Sequence, residues 1–95
     1  MAILFDGQTT DADSTGHAPG GPATIHTSGN LDGAYLQVQF APTNTPADFK
    51  PPANTNLNHI RQAGNVNIEA QAGYFVRVLL RGSQTNTSVT VEVLP

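Results

Sequence analysis

Two aspartates, a threonine and a glycine alternate near the N-terminus, in the stretch Asp11-x-Asp13-x-Thr15-Gly16. Alternating oxygen ligands followed by a glycine open a calcium-binding loop, because they wrap the chain around a hard cation. The complete loop also needs a carboxylate at its twelfth position, where this chain has Pro22. The pattern therefore favours an ordinary Asp/Gly loop over a calcium site.

Other residue types that commonly do chemistry are scattered along the chain. His17, His26 and His59 are far apart, and none belongs to an HxH or HxxxH pair that would place two imidazoles on one metal. No serine lies in a nucleophile-elbow pattern. A chain of 95 residues also has little space for a dry catalytic pocket. We therefore expect a protein that is not an enzyme and that needs no metal or cofactor.

Composition excludes several further classes. The chain has no cysteine, so neither a disulfide framework nor a thiolate metal site is possible. No apolar run approaches the roughly 20 residues of a membrane helix, and the N-terminus lacks the pattern of a secretory signal. The length fits one domain over residues 1–95. We expect a single soluble domain.

Positive charge is sparse. The cations are Lys50, Arg61, Arg77 and Arg81, and the formal net charge is −3. Nucleic-acid binding needs several cations clustered along the phosphates, and four scattered ones do not provide such a cluster. We therefore expect no nucleic-acid partner.

The clearest secondary-structure signal covers residues 74–93. Apolar side chains alternate through 74–80 and again through 89–93, which is the period of a half-buried strand. Pairing Leu80 with Val89 aligns the two apolar faces and places Arg77 opposite Glu92. The pattern predicts a β-hairpin with a polar turn.

Alternation also predicts strands at 2–5, 24–28, 34–40 and 65–70, with Ile3 and Phe5 sharing one face. Residues 8–22 and 29–33 are rich in turn formers and are predicted to form loops. Eleven residues are expected to be buried: Ile25, Leu36, Val38, Phe40, Val66, Ile68, Val76, Val78, Leu80, Val89 and Val91.

The segment 41–59 interrupts this pattern with prolines at positions 42, 46, 51 and 52. Proline lacks the amide hydrogen that a β-ladder needs, so this segment cannot be a central strand. We expect Phe49 and Leu57 to anchor it to the core, with a short edge strand on either side of the double proline. The chain as a whole predicts an all-β fold, a small antiparallel β-sandwich of jelly-roll or Ig-like type with long irregular loops. A partly closed barrel is the competing architecture.

The predicted strand 74–81 carries an unusual outward face. Phe75, Arg77, Leu79 and Arg81 alternate there, although a solvated face is normally mostly polar. Aromatic and arginine side chains are favoured at protein interfaces. We predict an oligomer interface on these four residues, and the alternative is that the proline-rich segment covers Phe75.

Several stretches resemble, in the right order, small β-sandwich proteins of tailed-phage virions. They are Ile3-Leu4-Phe5-Asp6-Gly7-Gln8-Thr9-Thr10, the Gly20-Gly21-Pro22 entry to the second strand, Leu31-Asp32-Gly33-Ala34-Tyr35-Leu36-Gln37-Val38, Gly73-Tyr74-Phe75-Val76-Arg77-Val78 with Gly82, and Thr87-Ser88-Val89-Thr90-Val91. The chain departs from that family at 41–59, where the family has a short hairpin ending in tryptophan. This departure affects the surface that would dock on the virion.

The resemblance implies a structural role. The expected function is a capsid decoration (cement) protein that contacts the major capsid protein on the virion surface, made in the host cytoplasm and assembled as a homotrimer. The competing expectation is a tail or fibre accessory module that binds a glycan or host receptor through Tyr35, Tyr74 or the polar loops. The resemblance carries no catalytic residues.

Overall fold

The computed structural model describes residues 2–52 and 57–94. It is an all-β sandwich of two antiparallel sheets, as the alternation predicts. The seven strands are β1 (Ala2–Gln8), β2 (Ala12–Asp13), β3 (Pro22–Asn30), β4 (Tyr35–Ala41), β5 (Gly64–Glu69), β6 (Phe75–Arg81) and β7 (Ser88–Leu94). In the part of the chain covered by the structure, no helix has the length and hydrophobicity to cross a bilayer.

The strand order shows the topology of the sandwich. One sheet, sheet A, has the order β1-β7-β3-β5, and the other, sheet B, has the order β2-β6-β4. The first strand pairs with the last, the second with the sixth and the third with the fifth. This is the pairing of one long hairpin folded over itself, as in a jelly roll. An Ig-like sandwich would keep the last two strands in one sheet, so that alternative is wrong.

The predicted hairpin between β6 and β7 is also wrong. β6 pairs with β2 and β4, whereas β7 pairs with β1 and β3 in the opposite sheet. The segment 82–87 is therefore an arch between the sheets. An arch and a hairpin leave the same alternation in each strand, because both strands turn one apolar face to the core. Arg77 consequently has partners other than Glu92.

The core lies between the two sheets. Nine of the eleven side chains expected to be buried are buried, whereas Phe40 and Val66 are only partly buried at its margin. Leu57 belongs to the core, which confirms it as an anchor of the proline-rich segment. Each fully buried aliphatic side chain contributes about 1.5–3 kcal/mol, so this apolar contact stabilises the sandwich.

Local irregularities account for two further differences. The β1–β7 register shifts between Ile3 and Phe5, so Phe5 is buried while Ile3 is 53% exposed and paired with Glu92. The two side chains thus lie on opposite faces. The predicted loop 8–22 contains β2, and its chain continues along β6, where His17 and Val76 exchange two backbone hydrogen bonds of 2.8–2.9 Å.

The proline-rich segment takes the place that an eighth strand would have beside β4. Two isolated bridges lie there, from Lys50 of this segment to Phe40 and from Ile60, directly after the segment, to Leu36. A short 3₁₀ helix at Pro46–Asp48 precedes the first bridge. The expected edge strand after the double proline falls partly on residues 53–56, outside the described residues.

The arch is held by Thr87, whose side chain is buried. Its hydroxyl donates to the Leu31 carbonyl (3.0 Å) and accepts from the Gln84 backbone N–H (2.9 Å). Thr87→Val keeps the shape but leaves both backbone groups without this partner. We expect a loss of about 1–3 kcal/mol in the free energy of unfolding by urea.

Thr87→Ser is the matched control for this prediction. Serine keeps the hydroxyl and removes one methyl group, which costs about 0.8 kcal/mol. A Thr87→Val protein as stable as the wild type would show that the arch does not depend on these hydrogen bonds.

Candidate functional site

The outward face of sheet B carries a polar network that crosses all three of its strands. Arg77, in the central strand, donates from Nε (3.0 Å) and Nη2 (2.8 Å) to Gln39 Oε1. Gln39 in turn donates to Gln37 Oε1 (2.9 Å). On the other side, Arg77 Nη1 lies 4.0 Å from Asp13 Oδ2. These side chains link β4, β6 and β2 outside the core.

Arg81 completes the network at the end of β6. Its Nη2 donates to Asp13 Oδ1 at 2.6 Å, and its Nη1 donates to the carbonyls of Leu80 (2.9 Å) and Ala12 (3.3 Å). Two arginines thus share one carboxylate. The group of Arg77, Arg81 and Asp13 carries a net charge of +1.

The proline-rich segment covers this face. The guanidinium carbon of Arg77 lies 4.7 Å from the centre of the buried Phe49 ring, in cation–π geometry. Gly16 approaches the same segment so closely that a side chain there would overlap Asn44 and Phe49. As a result the Arg77 side chain is only 11% exposed. Phe49 is buried, but the expectation that it anchors the segment to the core is wrong, because it packs on Arg77 outside the core cluster.

A cavity of about 360 Å³ lies between the proline-rich segment and the chain around Ser14. Its lining includes Asp13, Thr15, Asn44, Phe49 and Arg77. The Phe49 ring is buried and already faces Arg77, so it offers no open surface for stacking. More of the cavity surface is apolar than polar, and its one cation, Arg77, is partly compensated by Asp13.

The predicted interface residues divide into two pairs. Leu79 is 8% exposed, and Arg77 is engaged within the chain, so both are covered. Phe75 and Arg81 are half-buried and still present surface on this face. The oligomer interface stays a prediction, and the surface left for a neighbouring subunit is smaller than the strand pattern indicated.

The residues of the calcium-like stretch have separate partners. Asp13 binds Arg81, whereas Asp11 accepts hydrogen bonds from the backbone N–H groups of Ser83 (2.9 Å) and Gly82 (3.4 Å). The hydrogen bond from the Ser83 backbone is the main cause that lowers the pKa of Asp11. Within residues 2–52 and 57–94, no three His, Cys, Asp or Glu side chains form a group that could hold a metal ion.

The three histidines also make separate contacts. His17 extends the ladder beside β6, and His26 is hydrogen-bonded to Asn65 on the outward face of sheet A. His59 stacks on Tyr35, with ring centres 4.8 Å apart and Arg61 lying 5.5 Å from the Tyr35 centre. Tyr35 is therefore already in contact with two side chains of its own chain.

Tyr74 has a different setting. It is one of the two large hydrophobic side chains that are exposed, together with Ile3, among the residues described. It borders a cavity of about 310 Å³ that is also lined by Phe40, Pro52, Glu69 and Gln71. An accessible aromatic ring beside a carboxylate and an amide is an arrangement that can stack on a sugar and bond its hydroxyls.

We predict that Arg77→Lys destabilises the protein by about 1–3 kcal/mol. Lysine cannot make two parallel hydrogen bonds to Gln39 Oε1 while lying flat on Phe49. Urea unfolding measures the loss. Limited proteolysis by chymotrypsin at the Phe49–Lys50 bond reports whether the proline-rich segment loosens, because Phe49 is buried in the intact fold.

Arg61→Lys is the control, because Arg61 is exposed and should change stability by less than about 0.5 kcal/mol. If Arg77→Lys unfolds at the same urea concentration as the wild type and its Phe49–Lys50 bond stays protected from chymotrypsin, the network does not hold the segment.

The lowered pKa of Asp11 predicts that its contribution to stability depends on pH. Its folded pKa is lowered, so its contribution is fully present above the unfolded value of about 3.9 and is lost as pH falls through the folded pKa. Asp11→Asn should therefore unfold at a lower temperature than the wild type at pH 7. The difference should shrink as pH falls below about 3.9. A difference that stays constant across the acid range contradicts this role.

Comparison with known proteins adds no relative. No protein-family model, no curated protein and no solved structure matches this chain. The function proposed below therefore rests on the residues of the chain itself.

Proposed function

We propose that this protein is a structural protein of a tailed-phage virion, a decoration protein that docks on the shell of the major capsid protein. One observation carries the proposal. The stretches that resemble such proteins lie on β1, β3, β4, β6 and β7. The resemblance therefore involves strands of both sheets of a single sandwich, and not one isolated hairpin.

The outward face of sheet A is suited to docking. Short polar side chains cover its β3 and β5 strands and bond across them, as Thr24 does to Asn67 (3.0 Å) and His26 to Asn65. Such a face has few long side chains to immobilise on binding, which lowers the entropic cost of association. Many copies with modest contacts stabilise a shell through multivalency.

A second candidate function comes from Tyr74. Its exposed ring and the neighbouring Glu69 and Gln71 suit a saccharide. The alternative is therefore a tail or fibre accessory module that binds a glycan on the host surface.

One comparison separates the two proposals. Purified protein is mixed with undecorated shells of the phage that encodes it, and is separately applied to a glycan array. A decoration protein co-sediments with the shells and raises their melting temperature, and it gives no saturable signal on the array. Glycan binding without shell binding reverses the ranking.

Tyr74→Ala and Phe75→Asp are the matched variants, since they are neighbours on the chain. Tyr74→Ala abolishes glycan binding if the alternative holds. Phe75→Asp places a charge on the outward face of β6 and should weaken any assembly built there while the core stays intact. If Phe75→Asp unfolds the protein, Phe75 stabilises the fold itself.

A further inference from the structure

Three of the four sheet edges are protected against pairing with another chain. β1 has two register irregularities, and such bulges twist an edge away from a partner. β2 is only two residues long. The outer side of β4 is occupied by the bridges from Lys50 and Ile60. These are the usual ways in which natural proteins keep strand edges from associating.

The fourth edge, β5, has none of these protections. All six of its residues pair with β3 without a register shift, so the strand is regular. It contains no lysine, arginine or proline. In the described part of the chain, no strand pairs with its other side. A regular edge of this kind is a template for an added strand.

The sequence of β5 fits a second copy of itself in antiparallel orientation. Asn65, Asn67 and Glu69 are exposed on the outward face, and Val66 and Ile68 face the core. Antiparallel partners must share a face, which permits only registers that pair inward residues with inward residues. A register centred on Asn67 sets Val66 opposite the partner's Ile68 and Asn65 opposite the partner's Glu69.

This register is favourable on both the inward and the outward face of the sheet. Val66 is only partly buried at the end of the sheet, and a neighbouring Ile68 would cover it. Each Glu69 carboxylate would face an amide that can donate to it, so no like charges lie opposite each other. In a parallel in-register pairing the two Glu69 side chains would be adjacent, so the antiparallel arrangement is preferred.

We propose that two copies of this protein associate through β5, in antiparallel register about Asn67, to form one continuous sheet of eight strands. The contact is isologous, so it closes after two subunits and does not propagate. It differs from the interface predicted on the outward face of β6, and it does not depend on the virion function.

A cysteine placed on the two-fold axis tests this register. The chain has no cysteine, so one introduced thiol can crosslink only to its copy in a partner. In the proposed register the two Asn67 Cα atoms are about 4.5–5.5 Å apart, within the range for a disulfide. Asn67→Cys should therefore give a disulfide-linked dimer under mild oxidation at micromolar protein concentration.

Asn65→Cys is the matched control on the same face. Its two copies would be offset by four residues, or about 13 Å, which is too far for a disulfide. Both variants lose one side-chain hydrogen bond to β3, so they perturb the fold alike. We expect at least about tenfold more crosslinked dimer for Asn67→Cys than for Asn65→Cys, and a wild-type dimer in sedimentation equilibrium.

Three results overturn the proposal. They are equal crosslinking of the two variants, stronger crosslinking of Asn65→Cys, and a wild-type protein that sediments as a monomer or a trimer at millimolar concentration. Circular dichroism of each variant confirms that the fold is retained before crosslinking is compared.

Discussion

The fold depends on the packing of β6, in sheet B, against sheet A, which contains β7. Each of these strands is flanked by two others, so neither is an edge, and their inward side chains are buried in one apolar cluster. Every pairing that holds them is distant in sequence: β7 lies between β1 and β3, and β6 lies between β2 and β4. Because β1 pairs with β7, sheet A brings together paired residues that are more than 80 positions apart in sequence.

The outward side of β6 supports a second, polar layer. Arg77 bonds Gln39 and stacks on Phe49, which fixes the proline-rich segment over sheet B. Proline prevents this segment from becoming an eighth strand, yet Lys50 in the segment and Ile60 directly after it still shield the β4 edge. The aliphatic side chains of β6 thus pack in the core, and its Arg77 holds the proline-rich segment on the opposite face. Because the proline-rich segment covers the outward face of β6, this face carries apolar as well as polar side chains.

Sequence reasoning was reliable where burial alone decides the outcome. The period of two predicted six of the seven strands, and nine of the eleven side chains that it placed in the core are buried, because a buried face selects apolar residues in any β-topology. The same periodicity did not predict which strands pair with each other. Val78 and Val91 have the same alternation in a hairpin as in an arch, and the residues that distinguish the two, Asp11 and Thr87, act through backbone contacts across the fold. The bulge that separates Ile3 from Phe5 likewise has no marker in side-chain type. The alternative prediction placed Phe75 under the proline-rich segment, whereas the segment covers Arg77 through Phe49.

The surfaces considered for docking and assembly follow from this arrangement, in which β5 ends the described sheet A and pairs with β3 on one side. Nuclear Overhauser contacts between backbone protons test that arrangement most directly. The rolled-up topology predicts cross-strand contacts of Val78 with Val38, and of Val91 with Thr27. A set of Hα–Hα contacts linking Leu80 to Val89 and Val78 to Val91 would instead establish the hairpin and contradict this account.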